Sequence, residues 1–151
     1  MFGKSLSEYL KFQKWILVLI IAIWSARFGL SLAGASASRY FSVTWVLVLG
    51  AVYYGVVVAK GFGSYRQLYP LNLIQSLLAE GLVALGITIG IVTGIANIFT
   101  APEFSVGFEG MSWTHVLAHV VVPGAIVLPL AGWALSSIVL LVTRSLLPDR
   151  S

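Results

Sequence analysis

Hydrophobic residues run through this chain in four long stretches, separated by short segments that hold most of the charge. The first, Trp15 to Gly34, reads WILVLIIAIWSARFGLSLAG; the second, Val43 to Ala59, reads VTWVLVLGAVYYGVVVA. The third runs from Leu71 to Phe99 and the fourth from Trp113 to Val142. Crossing the hydrocarbon core takes about 20 apolar residues, within a range of about 17 to 25. The pattern therefore predicts an all-α integral membrane protein: one domain over 1–151, a four-helix transmembrane bundle with spans at 15–34, 43–59, 71–99 and 113–142. The last two spans exceed the minimum and should tilt or kink. Joined by the loop TAPEFSVGFEGMS, they should form a long antiparallel hairpin.

Composition strengthens that reading. Of 151 residues, 59% are hydrophobic and 9% charged, where a soluble domain carries about 25% charged residues. The net charge of +4 is no nucleic-acid signal, because the basic residues lie at the ends of the apolar segments. Lys4, Lys11, Lys14, Lys60, Arg66, Arg144 and Arg150 fall on one side of the predicted topology, and Arg39 on the other. The positive-inside rule then predicts an inner (plasma) membrane protein with both termini cytoplasmic. No small-residue cleavage pattern closes the first apolar run, so it is expected to be a retained helix. The absence of cysteine excludes disulfides, thiolate metal sites and thiol nucleophiles. No P-loop, dinucleotide fingerprint, GxSxG elbow or EF-hand loop is present.

The third span contains GITIGIVTG, in which Gly86, Gly90 and Gly94 repeat at four-residue spacing. Such a face lets a second backbone, or a flat cofactor, approach closely. Ala79 and Asn97 extend the small or polar theme.

Ionisable residues within apolar spans are costly and are functional suspects. Here they are Arg27, Glu80, His115 and His119. If each span began and ended level with its neighbours, Glu80 would lie ~14 Å from the inner end of the third span and His119 ~9 Å from the outer end of the fourth. On that reckoning Glu80 pairs with Tyr53 or Tyr54 rather than with a histidine. Arg27, near the depth of His119, either snorkels to the headgroups or clamps an anionic group: a cofactor carboxylate, a lipid phosphate, Glu103 or Glu109.

Both histidines of the chain fall in WTHVLAHVVVPG. At i and i+4 they share a helix face. Pro123 cannot donate to the carbonyl of His119, and Pro129 repeats the effect on Ala125, so a bend is expected, eased by Gly124. Three readings are open. The first is a binding site for a metal, a haem-like pigment or a lipophilic ligand near His115 and His119. A divalent metal such as zinc, copper or iron would draw further ligands from Glu103 and Glu109, whereas a haem would take one histidine and lie along Gly86, Gly90 and Gly94. The second is an accessory subunit that packs through that glycine face, as a homo-oligomer or within a larger membrane complex. In both, the histidines would otherwise be interfacial hydrogen-bonders beside Trp113, Phe104 and Phe108.

The third reading is catalytic, with His119 as base and Ser42 or Thr44 as nucleophile. The segments YFSVT, residues 40 to 44, and HVVVP, residues 119 to 123, are loosely similar to the androgen-induced family of intramembrane lipid hydrolases. That resemblance implies a threonine–histidine mechanism on lipid esters. It covers little more than those ten residues, and the two further helices of that family are missing here.

Overall fold

The computed structural model describes residues 2–105 and 110–146. Among them every regular element is helical: α1 (Leu6–Leu32), α2 (Val43–Val57), α3 (Tyr65–Thr93) and α4, which runs from Trp113 to Leu146 in three parts. Four helices are long and apolar enough to cross a membrane: α1, the Ser36–Phe62 stretch that contains α2, α3 and α4. Large apolar side chains cover their outer faces, Val18, Ile21, Leu49, Leu85, Val121 and Ile138 among them.

Helix boundaries arise from local chemistry. Ser5 and Glu8 form a reciprocal cap on α1: the Glu8 carboxylate accepts from the Ser5 backbone N–H at 2.7 Å, and Ser5 Oγ accepts from the Glu8 N–H at 3.3 Å. At the start of α3, Gln67 Oε1 accepts from the Ser64 N–H at 2.7 Å. Ser112 Oγ accepts from the His115 N–H at 3.2 Å to open α4. α3 ends at Gly94, whose φ of 70° is the left-handed conformation that glycine adopts without steric cost.

α3 is the central helix. It packs against α1, α2 and every part of α4, while α2 also packs on the Leu128–Leu146 part of α4. At one end, here called proximal, Arg144 donates to the Gly63 carbonyl and Gln67 to the Phe2 carbonyl. At the other, distal end, Arg39 meets Glu103 at 3.0 Å. The core has a proximal cluster of Tyr9, Tyr54, Val58, Leu68, Leu71 and Leu140. A distal cluster is built around Ile20, Trp24, Ile87 and Phe99, with Trp24, Phe28 and Phe99 stacked on one another.

Two departures from the expected spans bear on the polar groups inside the bundle. α3 begins at Tyr65 and stops at Thr93, so its C-terminal boundary falls six residues short of Phe99. The chain then folds back along its own helix. Asn97 Nδ2 donates to the Gly86 carbonyl at 2.9 Å, and the Ile98 N–H donates to Ser31 Oγ on α1 at 2.7 Å. Residues 97–100 are buried. Gly86 lies seven residues before the end of α3, so the loop descends ~10 Å into the bundle. Irregular backbone at such depth is tolerated where protein surrounds it.

The second departure is in α4. Its first part, Trp113–His119, is α-helical; Val120–Val127 is π-helical; Leu128–Leu146 is α-helical again. Pro123 has no N–H for the His119 carbonyl, and its ring crowds that oxygen. Widening the turn relieves both: the Leu128 N–H reaches back five residues to the Pro123 carbonyl. The bend expected at Pro123 takes the form of this wide turn.

Candidate functional site

His119 and Glu80 meet across the α3–α4 interface, with Nδ1 of the imidazole 2.6 Å from a carboxylate oxygen. This contact overturns the depth reckoning that kept them apart. Glu80 stands thirteen residues before the last residue of α3, and His119 six residues after the first of α4. They are level only because α3 extends about two turns beyond the start of α4, the same offset that the returning loop spans. Of the two tyrosines expected to pair with Glu80, Tyr53 and Tyr54, the latter donates its hydroxyl to Gln13 Oε1 at 2.8 Å.

Gly124 makes the approach possible. A Cβ there would stand 3.1 Å from Glu80 Cβ and 3.2 Å from the His119 carbonyl. The wide turn that Pro123 imposes thus brings a glycine against the carboxylate. The side chain of Glu80 is 13% exposed and that of His119 25%, so the pair is largely withdrawn from the surface without being sealed.

His115 is buried, with Nδ1 at 3.0 Å from the Gly110 carbonyl, and its ring lies 4.9 Å from that of His119. The expected shared face is therefore present. Beside both rings is a cavity of about 300 Å³, lined by Phe104, Ser105, His115, Ala118, His119, Val122 and Pro123. Its walls are almost wholly apolar apart from the two imidazoles and the Ser105 hydroxyl, which donates to the Ala101 carbonyl at 2.9 Å.

The other expected site residues are distributed differently. Glu103 is engaged by Arg39 at the distal surface, and Glu109 lies outside the described residues. Among the described residues no three of His, Cys, Asp and Glu gather as metal ligands. The guanidinium of Arg27 sits over the rings of Phe99 and Phe104, 5.3 Å and 5.0 Å from their centroids; Phe104 is also a wall of the cavity. The returning segment packs against Gly86 and Gly90. The Phe99 ring fills the space above Gly86, and Thr100 and Asn97 fill that above Gly90, while Gly94 is the cap of α3. Ser42 is the residue before α2, and Thr44 lines a separate small groove with Gln75 and Gly132.

Sequence reasoning missed a buried polar layer proximal to Glu80. Asn72 Nδ2 donates to Ser136 Oγ on α4 at 2.9 Å, and Gln75 Nε2 donates to the Leu47 carbonyl on α2 at 3.1 Å and to Asn72 Oδ1 at 3.0 Å. Gly50 and Gly132 leave room for the two amides, since a Cβ at either would collide with Gln75 or Asn72. The signal was the spacing of Asn72, Gln75, Ser76 and Glu80, which share a helix face. No protein-family model, curated protein or solved structure matches the chain, so these contacts stand without a relative to set beside them.

Proposed function

We propose that this is an integral membrane protein that binds a lipophilic ligand beside His119. In this reading both termini are cytoplasmic, α3 and α4 form an antiparallel hairpin, and the cavity opens toward the outer leaflet of the plasma membrane. The basic residues at the proximal end support that orientation.

The observation that carries the ligand reading is the 2.6 Å contact between His119 Nδ1 and Glu80 beside an apolar cavity. A carboxylate at Nδ1 favours the tautomer with its proton there, which leaves Nε2 as an acceptor. Nε2 is then the nitrogen available to a ligand. A partner that suits both the wall and the nitrogen is a hydrophobic molecule carrying a hydroxyl or another protic group. At about 300 Å³ the cavity is at the small end of ligand pockets, which run to about 1,000 Å³. That size favours a compact ring or a single chain over a porphyrin.

The test is photolabelling of purified protein with matched hydrophobic probes that differ only in a terminal hydroxyl. The hydroxylated probe should label more strongly, and His119→Ala should remove its advantage while leaving the alkyl probe unchanged. Glu80→Gln should weaken it several-fold. Equal labelling by both probes, or an advantage that survives His119→Ala, would sink the reading. Element analysis of the same sample addresses the metal alternative: one bound metal per chain, lost in His115→Ala or His119→Ala, would replace the lipophilic ligand by a coordination site.

One observation favours catalysis as a second reading. Glu80, at Nδ1 of His119, supplies an acid of the kind that orients a histidine base. The hydroxyl in the same cavity belongs to Ser105, not to Ser42 or Thr44. Hydroxyl-directed labelling abolished by Ser105→Ala and retained in Ser42→Ala and Thr44→Ala would establish it; absence of labelling in wild type removes it.

A further inference from the structure

The face of α3 below Glu80 is polar where packing alone would make it apolar. Asn72, Gln75 and Ser76 are each at most 1% exposed, and with Glu80 they occupy one side of the helix over eight residues, ~12 Å. Gln13 and Tyr54 continue the polar path from α1 and α2 toward the proximal end.

Helix adhesion does not account for this layer. An interhelical hydrogen bond in a membrane contributes little, and a buried polar atom without a partner costs more than one such bond returns. Three such atoms lie along this path: Gln13 Nε2, Gln75 Oε1 and Ser76 Oγ. Buried polar groups of this kind are satisfied by internal water, which typically bridges two to four of them. Gln75 Oε1 and Ser76 Oγ lie on the α3 face that leads to Glu80, and Gln13 Nε2 lies on α1 beside Tyr54, which packs with Leu68 and Leu71 of α3.

We propose that this face conducts protons between the proximal end and Glu80, through water held by Gln13, Gln75 and Ser76. The Glu80–His119 pair then exchanges protons toward the end opposite its cavity. Each step forms one O–H or N–H bond as it breaks another. His119 Nε2 takes a proton from the distal side as Nδ1 gives its own to the Glu80 carboxylate. Glu80 hands that proton to the water at Ser76, which passes one on to the proximal side, and rotation of the imidazole restores the N–H facing Glu80. The titratable groups around Glu80 are His119 and His115 on α4. Arg27 on α1 lies further distal against Phe99, and α2 contributes Tyr53 and Tyr54 further proximal. The path requires the Glu80–His119 pair but no ligand.

The experiment is proton uptake by proteoliposomes of the purified protein, read by a trapped pH dye under a potassium diffusion potential. Uptake should exceed that of protein-free vesicles, vanish in Glu80→Gln and slow several-fold in Ser76→Ala and Gln75→Leu. Thr88→Val, whose hydroxyl bonds the Ala84 carbonyl away from this face, should leave it unchanged. Ser76→Ala removes one oxygen and little volume, so its result does not depend on a rebuilt core. Wild-type uptake no faster than empty vesicles, or uptake unaltered by Ser76→Ala, overturns the proposal. Hydroxyl-probe labelling measured on the same preparation separates failure of this path from failure of the ligand site.

Discussion

At the scale of single residues, the most demanding position is Gly124. It stands where the π-helical part of α4 crosses Glu80, with a hypothetical Cβ only 3.1 Å from the glutamate side chain. Gly124→Val would push the helices apart, and overpacking of this kind costs about 1–3 kcal/mol. We expect a lower thermal midpoint in detergent and loss of the hydroxyl-probe advantage. Gly81, which has open space where its Cβ would be, serves as the control, and Gly81→Ala should leave both unchanged. The pairing of His115 and His119 on one face was legible from their spacing. The Glu80–His119 contact was not, because a depth count assumes level helix ends. Gly50 and Gly132 carried no signal by themselves, and Gly124 was legible only as easing a bend; each closes against a side chain on the next helix.

At the scale of elements, hydropathy located all four helices, since length and apolar content are local properties. It placed the C-terminal boundary of α3 six residues too far, because Ile95, Ala96, Ile98 and Phe99 are as apolar as the helix before them. The stop signal was Gly94, which the four-residue glycine repeat disguised as a packing residue. What holds the returning segment is Asn97, which donates to the Gly86 carbonyl and accepts from the Phe99 N–H at 3.0 Å. Asn97→Ala strips both bonds and should destabilise the segment by about 1–3 kcal/mol. The expected outcome is faster protease cleavage between α3 and α4 with helical content retained. Cleavage no faster than wild type would mean that Phe99, stacked on Trp24 and Phe28, holds the loop without help from the amide.

At the scale of the molecule, the absence of cysteine offers a clean reading of topology. Single cysteines at Ser7, near the start of α1, and at Ser36, in the distal 3₁₀ turn (Ser36–Tyr40), lie at opposite ends. In intact cells an impermeant maleimide should modify Ser36→Cys and spare Ser7→Cys until the membrane is opened. The reverse pattern would invert the orientation, moving the His119 cavity to the cytoplasmic leaflet. Charge placement made this expectation available from sequence. The central position of α3 was not available, because which helices touch depends on side chains that face inward from all four.

The loop that returns along α3 also constrains the order in which the protein can be assembled. Its anchors belong to two different helices, Ser31 on α1 and Gly86 on α3, so it has no complete seat until those helices lie side by side. On the integral-membrane reading proposed above, the third segment would leave the translocon before its own loop could settle, and α4 would enter next with its first turn some two turns lower. On that reading, seating of Phe99 between α1 and α3 would come late in assembly. A chain arrested before that event would present an apolar, unanchored loop at the membrane surface, which is the form that quality-control proteases would meet.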